Sequence, residues 1–452
     1  MARLVLGSAV LAACLCVALP AGARIQTKTK LVSVNSHENQ GDGSSQYGVA
    51  LSSNGRYVAF QSESQLTGGD NDSFSDVFLR DRKRGATTLV SPQQNSSHPN
   101  GGSGECGLDM TPDARFVAFG SFSERLVKHD SNGFGDVFVR DRKREKTTLV
   151  SVSSSGKKGD ADSCYDVAIS GGGRYVAFSS DSTKFTHGDG NGSADVFVRD
   201  LKKGTTTLVS KAQGGGPGNG YSGDYGLEMS ANGRFVAFES VANDLVGSDG
   251  NGWGADVFVR DLKKHKTKMV SVSTGGLQGG FAEDSLGTAM SPNGRYVVFN
   301  SEVGDLAPGD GDGVIDVFIR DRKEGTTKLV SLANDGANGD DNSGYQGGFG
   351  YDTMAVSNDG RFVAFDSYAE NLVGGNDGNG WIDLFLRDMN QDKTKLLSAI
   401  PAGNSGNDES AYYSAAMTPD ARWVAFNSGA EDLVGSDTNG STYDIFIRGP
   451  LR

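Results

Sequence analysis

The chain of 452 residues carries a net charge of −13, and 65 of its residues are glycine. Because phosphate backbones bind to basic surfaces, this charge argues against nucleic acid as a partner. An apolar fraction of 36% with only 10 prolines suits many short strands joined by tight polar turns better than one large core.

The first 23 residues have the features of an export signal. Arg3 is their only charge, residues 4–19 form an apolar run, and residues 21–23 (Ala-Gly-Ala) offer a cleavage site. The run is shorter than the roughly 20 residues that cross a bilayer. We therefore expect a cleaved signal, no membrane span and a secreted or periplasmic protein. Residues 11–14 also resemble a bacterial lipoprotein box, but the apolar run continues past Cys14, so a lipid anchor is less favoured.

The remaining sequence, residues 24–452, is dominated by one repeated unit. The segment Gly-Arg-Tyr-Val-Ala-Phe at residues 55–60 returns with small changes six more times. The further copies begin at residues 114, 173, 233, 294, 360 and 421. Each copy is followed by an Asp-rich loop and an Asp-Val-Phe-Val-Arg-Asp-like stretch, and the first six copies are also followed by a Thr-x-Leu-Val-Ser-like stretch. Seven units that cannot bury their apolar faces alone indicate a repeat architecture.

Within one unit the apolar residues follow the period of β-strands. In the first unit the sequence predicts strands at residues 47–52, 57–60, 76–81 and 87–91, with an Asn-Gly turn between the first two. Four antiparallel strands repeated seven times are typical of a seven-bladed β-propeller. The predicted fold is therefore an all-β propeller over residues 24–452.

The two ends of the repeat region are complementary. The last unit stops after the strand at residues 444–448 and lacks a Thr-x-Leu-Val-Ser strand, whereas residues 29–33 form such a strand with no unit before it. We therefore expect residues 29–33 to complete the seventh blade and to pair its open edge.

Two motifs within the units carry a family resemblance. Residues 291–297 (Ser-Pro-Asn-Gly-Arg-Tyr-Val) and 316–321 (Asp-Val-Phe-Ile-Arg-Asp) resemble the WD40-like (PD40) repeats of TolB-type propellers. This resemblance covers nearly all of residues 24–452 and implies an exported bacterial propeller. The Trp-Asp dipeptide of eukaryotic WD40 repeats is absent, and we expect no counterpart of the amino-terminal domain of TolB. The envelope role of TolB is therefore not implied.

Cys106 and Cys164 are the two cysteines that follow the predicted signal. They precede the equivalent repeat positions Ala114 and Gly173 by eight and nine residues, which places them in neighbouring blades at nearly the same height. In an oxidising compartment such a pair predicts a disulfide. Two buried, unpaired thiols would also fit the sequence.

Every unit carries an Asp-rich loop of the form Asp-x-Asn/Asp-Gly-x-x-Asp, or a variant, between its second and third strands. Side-chain oxygens at alternate positions, a glycine and a later carboxylate are the ingredients of a calcium loop. The best candidate ligand sets are Asp130/Asn132/Asp136, Asp189/Asn191/Asp195, Asp310/Asp312/Asp316 and Asp377/Asn379/Asp383. The other three loops contain Asp70/Asp72/Asp76, Asp249/Asn251/Asp256 and Asp437/Asn439/Asp444. The same residue types cap tight turns without metal, so Ca²⁺ binding and plain turn chemistry both remain open.

The antiparallel topology puts the Asp-rich loops and the blade-to-blade connections on one face of the ring, which we call the loop face. Aromatic residues stand among polar ones in these connections, a composition suited to a protein or glycan ligand. They are Tyr47, Tyr165, Tyr221, Tyr225, Phe281, Tyr345, Phe349, Tyr351, Tyr412 and Tyr413.

Catalysis has little support in the sequence. The five histidines share no repeat position, so no histidine metal centre or general base is predicted. They are His37, His98, His129, His187 and His265. The sequence therefore favours a monomeric, non-catalytic scaffold that binds a protein or glycan through the acidic loop face. The alternative is a carbohydrate-active enzyme, a glycoside hydrolase or lyase, that uses carboxylates of that face.

Overall fold

The computed structural model describes residues 27–70, 73–93, 101–128, 130–247, 249–279, 284–344 and 353–452. Over these ranges the chain forms 28 β-strands in seven four-stranded antiparallel sheets. The predicted seven-bladed β-propeller is therefore confirmed. The predicted signal, residues 1–23, lies outside the described residues. Within them, no helix has the length and apolar character needed to cross a membrane.

Each sheet is one blade, with its first strand at the central channel and its fourth at the outer edge. The first strands are β2 (Val49–Leu51), β6 (Ser103–Met110), β10 (Val167–Ile169), β14 (Ser222–Met229), β18 (Ser285–Met290), β22 (Ala355–Val356) and β26 (Ser410–Met417). The second strands are β3 (Tyr57–Ser62), β7 (Phe116–Ser121), β11 (Tyr175–Ser180), β15 (Phe235–Ser240), β19 (Tyr296–Ser301), β23 (Phe362–Ser367) and β27 (Val424–Ser428). The third strands are β4 (Asp76–Asp81), β8 (Asp136–Asp141), β12 (Asp195–Asp200), β16 (Asp256–Asp261), β20 (Asp316–Asp321), β24 (Asp383–Asp388) and β28 (Asp444–Gly449). The fourth strands are β5 (Ala86–Leu89), β9 (Lys146–Leu149), β13 (Thr205–Leu208), β17 (Lys266–Met269), β21 (Thr326–Leu329), β25 (Lys393–Leu396) and, for blade 7, β1 (Lys28–Leu31).

The second strand of each blade is buried on both faces because it packs between two neighbouring blades. In β3, Val58 and Phe60 lie in a hydrophobic cluster with Ile445 of blade 7. Ala59 points to the opposite face and shares a cluster with Phe119 of blade 2. A small side chain of one blade thus receives a large aromatic side chain of the next, which explains the repeated Val-Ala-Phe pattern.

The ring is closed by the amino-terminal strand, as predicted. β1 pairs antiparallel with β28, from Lys28 opposite Gly449 to Leu31 opposite Phe446. Beyond the strand, the amide of Val32 donates to the carbonyl of Ile445 at 2.7 Å. Val32 is only 1% exposed, so the closing segment contributes to the core as well as to the sheet edge.

On the face opposite the loop face, which we call the turn face, arginines of the Asn-Gly-Arg-like turns form ion pairs with the last aspartate of the third strand. The pairs are Arg56–Asp81, Arg115–Asp141, Arg174–Asp200, Arg234–Asp261, Arg295–Asp321 and Arg361–Asp388. In blade 1 the hydrogen bonds from the Arg56 guanidinium hold the pKa of Asp81 at about 2. Blade 7 has Gly449 at the aspartate position. These arginines therefore stabilise their own blades. The loop face remains the candidate surface for ligand binding.

A disulfide between Cys106 and Cys164 links blades 2 and 3, with the two Cα atoms 5.0 Å apart. Gly120 provides the space for it, because a Cβ there would lie 2.8 Å from Cys164 Sγ and 2.9 Å from Cys106 Cβ. Gln61 and Glu239 occupy the equivalent position in blades 1 and 4, opposite the second residue of the third strand. In blade 2 the disulfide thus fills the space that a polar side chain occupies in blades 1 and 4.

Free-thiol titration of the denatured, unreduced protein without its signal is expected to find no thiol. Reduction is expected to lower the free energy of unfolding by about 4 kcal/mol on the chain-entropy model for a separation of 58 residues. Gly120→Ala should also lower it, because the added methyl group competes with the disulfide for space. Ser179→Ala, at the same position of blade 3, is the control. Two thiols per chain would contradict the link.

Candidate functional site on the loop face

Each Asp-rich loop ends at the first residue of a third strand, and this aspartate is at most 4% exposed in every blade. One of its oxygens accepts a hydrogen bond from the serine of the Thr-x-Leu-Val-Ser stretch. The pairs are Ser91–Asp76, Ser151–Asp136, Ser210–Asp195, Ser271–Asp256, Ser331–Asp316, Ser398–Asp383 and Ser33–Asp444. The serine therefore fixes the orientation of the carboxylate. The second oxygen of the aspartate is directed to the loop.

In four blades an asparagine of the loop donates its amide to this second oxygen. The Nδ2–Oδ2 distance is 2.9 Å in Asn132–Asp136, Asn191–Asp195, Asn251–Asp256 and Asn379–Asp383. Three of the four predicted ligand sets thus present an N–H donor to the last aspartate. The hydrogen bond is of the kind that turn chemistry predicts, but Asn132 Oδ1, Asn251 Oδ1 and Asp377 Oδ1 have no hydrogen-bond partner among the described residues.

Blade 5 differs because Asp312 stands where those blades have asparagine. Asp310, Asp312 and Asp316 each bring one oxygen to within 4.8 Å of the other two, and no other group of three His, Cys, Asp or Glu side chains in the described part of the chain does so. Asp316 is 0% exposed, and neither its Oδ2 nor that of Asp310 has a hydrogen-bond partner among the described residues. Of the four predicted sets, this one has the donor atoms of a divalent-cation site.

Burial makes the ionised form of the aspartates in these loops unfavourable. Burial, followed by the neighbouring carboxylates, raises the pKa of Asp316 to about 7. Burial likewise raises the pKa of Asp310 to about 6 and that of Asp195 to about 8. The predicted first loop is only partly described, because Asp72 lies outside the described residues.

Exposed aromatic side chains occupy one repeated position on the loop face. Phe74, Phe134, Trp253 and Trp381 each stand two residues after the middle Asp or Asn of an Asp-rich loop. They are 42%, 36%, 63% and 45% exposed, respectively. These four residues were not among the predicted ligand contacts, because those were aromatic residues of the longer connections between blades. Alignment of the seven loops would have revealed aromatic residues at one position in four blades.

The tyrosines that were predicted to contact a ligand are half-buried where the structure describes them. The ring of Tyr413 packs edge-on against Tyr47 and Tyr443, with centroids 5.2 Å apart in both pairs, and contacts Tyr412 at 4.6 Å. Tyr165 donates its hydroxyl to Asp181. These tyrosines therefore stabilise the connections. Phe281, Tyr345, Phe349 and Tyr351 lie outside the described residues.

Near the loop-face end of the channel, a polar side chain of the second strand holds the backbone of the first strand. Gln61 accepts hydrogen bonds from the amides of residues 46 and 47, Asn427 from those of residues 413 and 414, and Glu239 from those of residues 224 and 225. Glu239 is 0% exposed, and burial raises its pKa to about 8. Asp366 holds the equivalent place in blade 6, where burial raises its pKa to about 7.

The turn-face end of the channel is a cavity of about 190 Å³. Its lining combines apolar side chains of the first strands with Asp109 and Glu228 of those strands and with Pro112, Pro292 and Pro419 of the turns. His37, His187 and His265 are absent from this lining, and His98 and His129 lie outside the described residues.

Comparison with solved structures shows the propeller fold. An oligogalacturonate lyase in complex with manganese is similar with a TM-score of 0.53 at 11% identity, over 95% of this chain and 99% of the lyase. The β-propeller domain of the Trilobed protease from Pyrococcus furiosus gives 0.51 at 10% identity, over 91% and 94%. A putative TolB from Agrobacterium tumefaciens gives 0.39 at 14% identity, over 68% and 89%. No protein-family model and no curated protein sequence matches the chain, so membership of the PD40 family stays a prediction.

Proposed function

We propose that this protein is an exported, non-catalytic scaffold that binds a glycan or protein through its loop face. The observation that carries the proposal is the repeated exposed aromatic position, occupied by Phe74, Phe134, Trp253 and Trp381. Large aromatic side chains are normally buried, so four of them exposed at one loop position need an explanation. Contact with a ligand would explain why these four side chains are exposed.

The chemistry of the surrounding loops narrows the ligand. The aromatic rings offer flat apolar faces, while the Asp, Asn, Ser and Gly residues around them offer hydrogen-bonding groups. A sugar ring has an apolar face and hydroxyl edges, and a peptide offers apolar side chains and amides, so both match this surface. The net charge of −13 favours neutral or cationic ligands over anionic ones.

A double variant, Trp253→Ala with Trp381→Ala, is expected to lose at least tenfold in affinity for any ligand that a glycan and peptide screen identifies. Loss of one well-placed aromatic contact costs on the order of 2 kcal/mol, which supports this estimate for two. Leu277→Ala is the control, because Leu277 is 64% exposed but lies on a hairpin and not on an Asp-rich loop. Equal losses in both variants would contradict specific binding through the aromatic position.

Ca²⁺ is proposed as a stabilising ion of some of the Asp-rich loops. Divalent cations relieve repulsion among clustered carboxylates and take oxygen ligands of this type. Saturating Ca²⁺ should then raise the melting temperature relative to chelator by mass action.

A carbohydrate-active enzyme is the alternative function. The environment of Asp224 is the observation that favours it. Asp224 is half-buried, its Oδ1 has no hydrogen-bond partner among the described residues, and burial raises its pKa to about 6. A carboxyl group with a raised pKa can act as a general acid. The neighbouring Glu239 is committed to backbone amides. Product analysis of glycans from the same screen separates the alternatives, because only an enzyme shortens them.

A further inference from the structure

We propose that blade 5 alone among blades 2 to 7, whose candidate ligands are all described, binds a divalent cation of the Ca²⁺ type, and that in blades 2, 4 and 7 a side chain of the protein occupies the cation position. This inference deepens the proposed role of Ca²⁺. It assigns the ion to Asp310, Asp312 and Asp316, and it identifies the position in the repeat that decides whether a blade needs an ion.

The deciding position lies on the hairpin that follows the fourth strand. It stands seven residues after the serine of the Thr-x-Leu-Val-Ser stretch, and in five blades an isolated β-bridge confirms its equivalence. The bridges are Val34–Gln40, Val152–Lys158, Lys211–Pro217, Leu332–Asn338 and Ala399–Ser405. In blade 4 the same count gives Gln278.

In blade 7 the side chain of Gln40 takes the place that a cation would have. Its Nε2 lies 2.7 Å from Asp437 Oδ1, 2.8 Å from Asn439 Oδ1 and 2.6 Å from Asp444 Oδ2. One N–H-bearing nitrogen therefore contacts all three side chains of the predicted ligand set. The distances are those of hydrogen bonds, and they leave no space for an ion between the same atoms.

In blades 4 and 2 a side chain from the same hairpin position also contacts the clustered carboxylates of the Asp-rich loop. Gln278 Nε2 lies 3.0 Å from Asp249 Oδ1 and 2.7 Å from Asp256 Oδ2. In blade 2, Lys158 Nζ lies 3.6 Å from Asp130 Oδ1. An amide N–H donor or an ammonium group thus stabilises the carboxylates that a cation would otherwise bridge.

Blade 5 has no such donor in its carboxylate cluster. Asn338 occupies the deciding position, but its Nδ2 donates to the carbonyl of Gly309 at 2.8 Å. The loop also has Asp312 in place of the asparagine whose amide serves the last aspartate elsewhere. The second oxygen of Asp316 is consequently buried and unpartnered.

The size of the cluster fits a cation. Oxygens bound to one Ca²⁺ at 2.3–2.6 Å can be at most about 5 Å apart, and the three carboxylate oxygens of blade 5 lie within 4.8 Å of one another. Ca²⁺ takes six to eight oxygens, so backbone or water oxygens would have to supply the rest and the affinity should be modest.

Blades 3 and 6 lack a long donor at the deciding position, where they have Pro217 and Ser405. Their loop asparagines compensate, because Asn191 and Asn379 each donate to the last aspartate and to a backbone carbonyl of the hairpin. An ion in these loops would have to replace both hydrogen bonds. We therefore expect one cation site in blades 2 to 7.

Calorimetric titration of Ca²⁺ into the calcium-free protein is expected to show one site that depends on Asp312, in addition to any site in blade 1, where Asp72 lies outside the described residues. Asp312→Asn should weaken binding by roughly tenfold or more, since it removes one of three carboxylates and supplies an amide donor. The fold should survive, because five other blades have asparagine at this position. Asn338→Gln, which gives blade 5 the donor of blades 4 and 7, should weaken binding and raise the melting temperature of the calcium-free protein.

Asp437→Asn in blade 7 is the matched control and should leave the stoichiometry and affinity unchanged. Each titration is repeated with NaCl at equal ionic strength to subtract general salt effects. Absence of Ca²⁺ binding by the wild-type protein, or equal binding by Asp312→Asn, would overturn the inference. The glycan and peptide screen is run in both Ca²⁺ and chelator, so failure of the cation site is distinct from failure of the scaffold proposal.

Discussion

Removing residues 27–34 is expected to lower the melting temperature by roughly 10 °C or more, because the seventh blade then loses its outer strand. The deletion exposes the edge of β28 and removes Val32 and Val34, which are 1% and 3% exposed. Burial of each valine contributes about 1.5–3 kcal/mol, and the lost hydrogen bonds of Ser33 and Val32 add to this. Thermal unfolding followed by circular dichroism measures the change.

Two point variants refine this experiment. Val32→Asp places a charge in the buried cluster and should reproduce much of the loss, whereas Lys30→Asp changes an exposed residue of the same strand and should have little effect. Adding a peptide of residues 27–34 to the deleted protein should restore part of the stability by mass action. An unchanged melting curve in the deleted protein would show that closure contributes nothing.

Glu239→Gln is expected to stabilise the protein increasingly as the pH rises from 5 to 8. The folded-state pKa of Glu239, about 8, lies above its ordinary value of 4.5 because the side chain is buried and Asp224 lies nearby. Between these two values the folded state holds a proton that the unfolded state releases. The free energy of unfolding therefore falls as the pH rises, by up to about 1.4 kcal/mol per pH unit from this group.

The glutamine variant keeps the hydrogen-bond acceptor and removes the titration. Gln61 makes the equivalent bonds in blade 1, so the substitution has a precedent within the fold. Denaturant unfolding at pH 5, 6, 7 and 8 should show the difference between variant and wild type growing with pH. Gln61→Glu, the converse change, should give a free energy of unfolding that falls further below that of the wild type as the pH rises. A pH-independent difference for Glu239→Gln would mean that Glu239 is ionised in the folded state throughout this range.

The propeller could be predicted because the same strand pattern occurs seven times, so the unit is defined by many copies and not by one. Closure could be predicted because the strand that the last unit lacks stands before the first. Both inferences depend on backbone pairing and alternation of buried side chains, which are encoded locally. The positions of Gly120 and the polar residue Glu239 opposite the first strand could not be interpreted without the three-dimensional contacts.

The presence of the Asp-rich loops could be predicted from the sequence. The differences between the loops in their hydrogen-bond partners could not. The residue that distinguishes them lies on another segment, and in blade 7 Gln40 is separated from Asp437 by 397 residues. No local pattern relates two such positions before the fold is known. The packing of the tyrosines could not be predicted for a related reason, because Tyr413 contacts Tyr47 and Tyr443, which its own segment does not reveal.

The way in which the ring closes also determines the order in which the molecule can assemble. The strands of blades 1 to 6 follow one another along the chain, so each blade can form from local contacts. The final blade needs Thr29 and Arg448, which are 419 residues apart, to meet. Closure should therefore be the last step of folding. Until it occurs, β28 offers an unpaired edge to the amino-terminal segment of a neighbouring molecule, so refolding at high protein concentration should yield strand-exchanged oligomers.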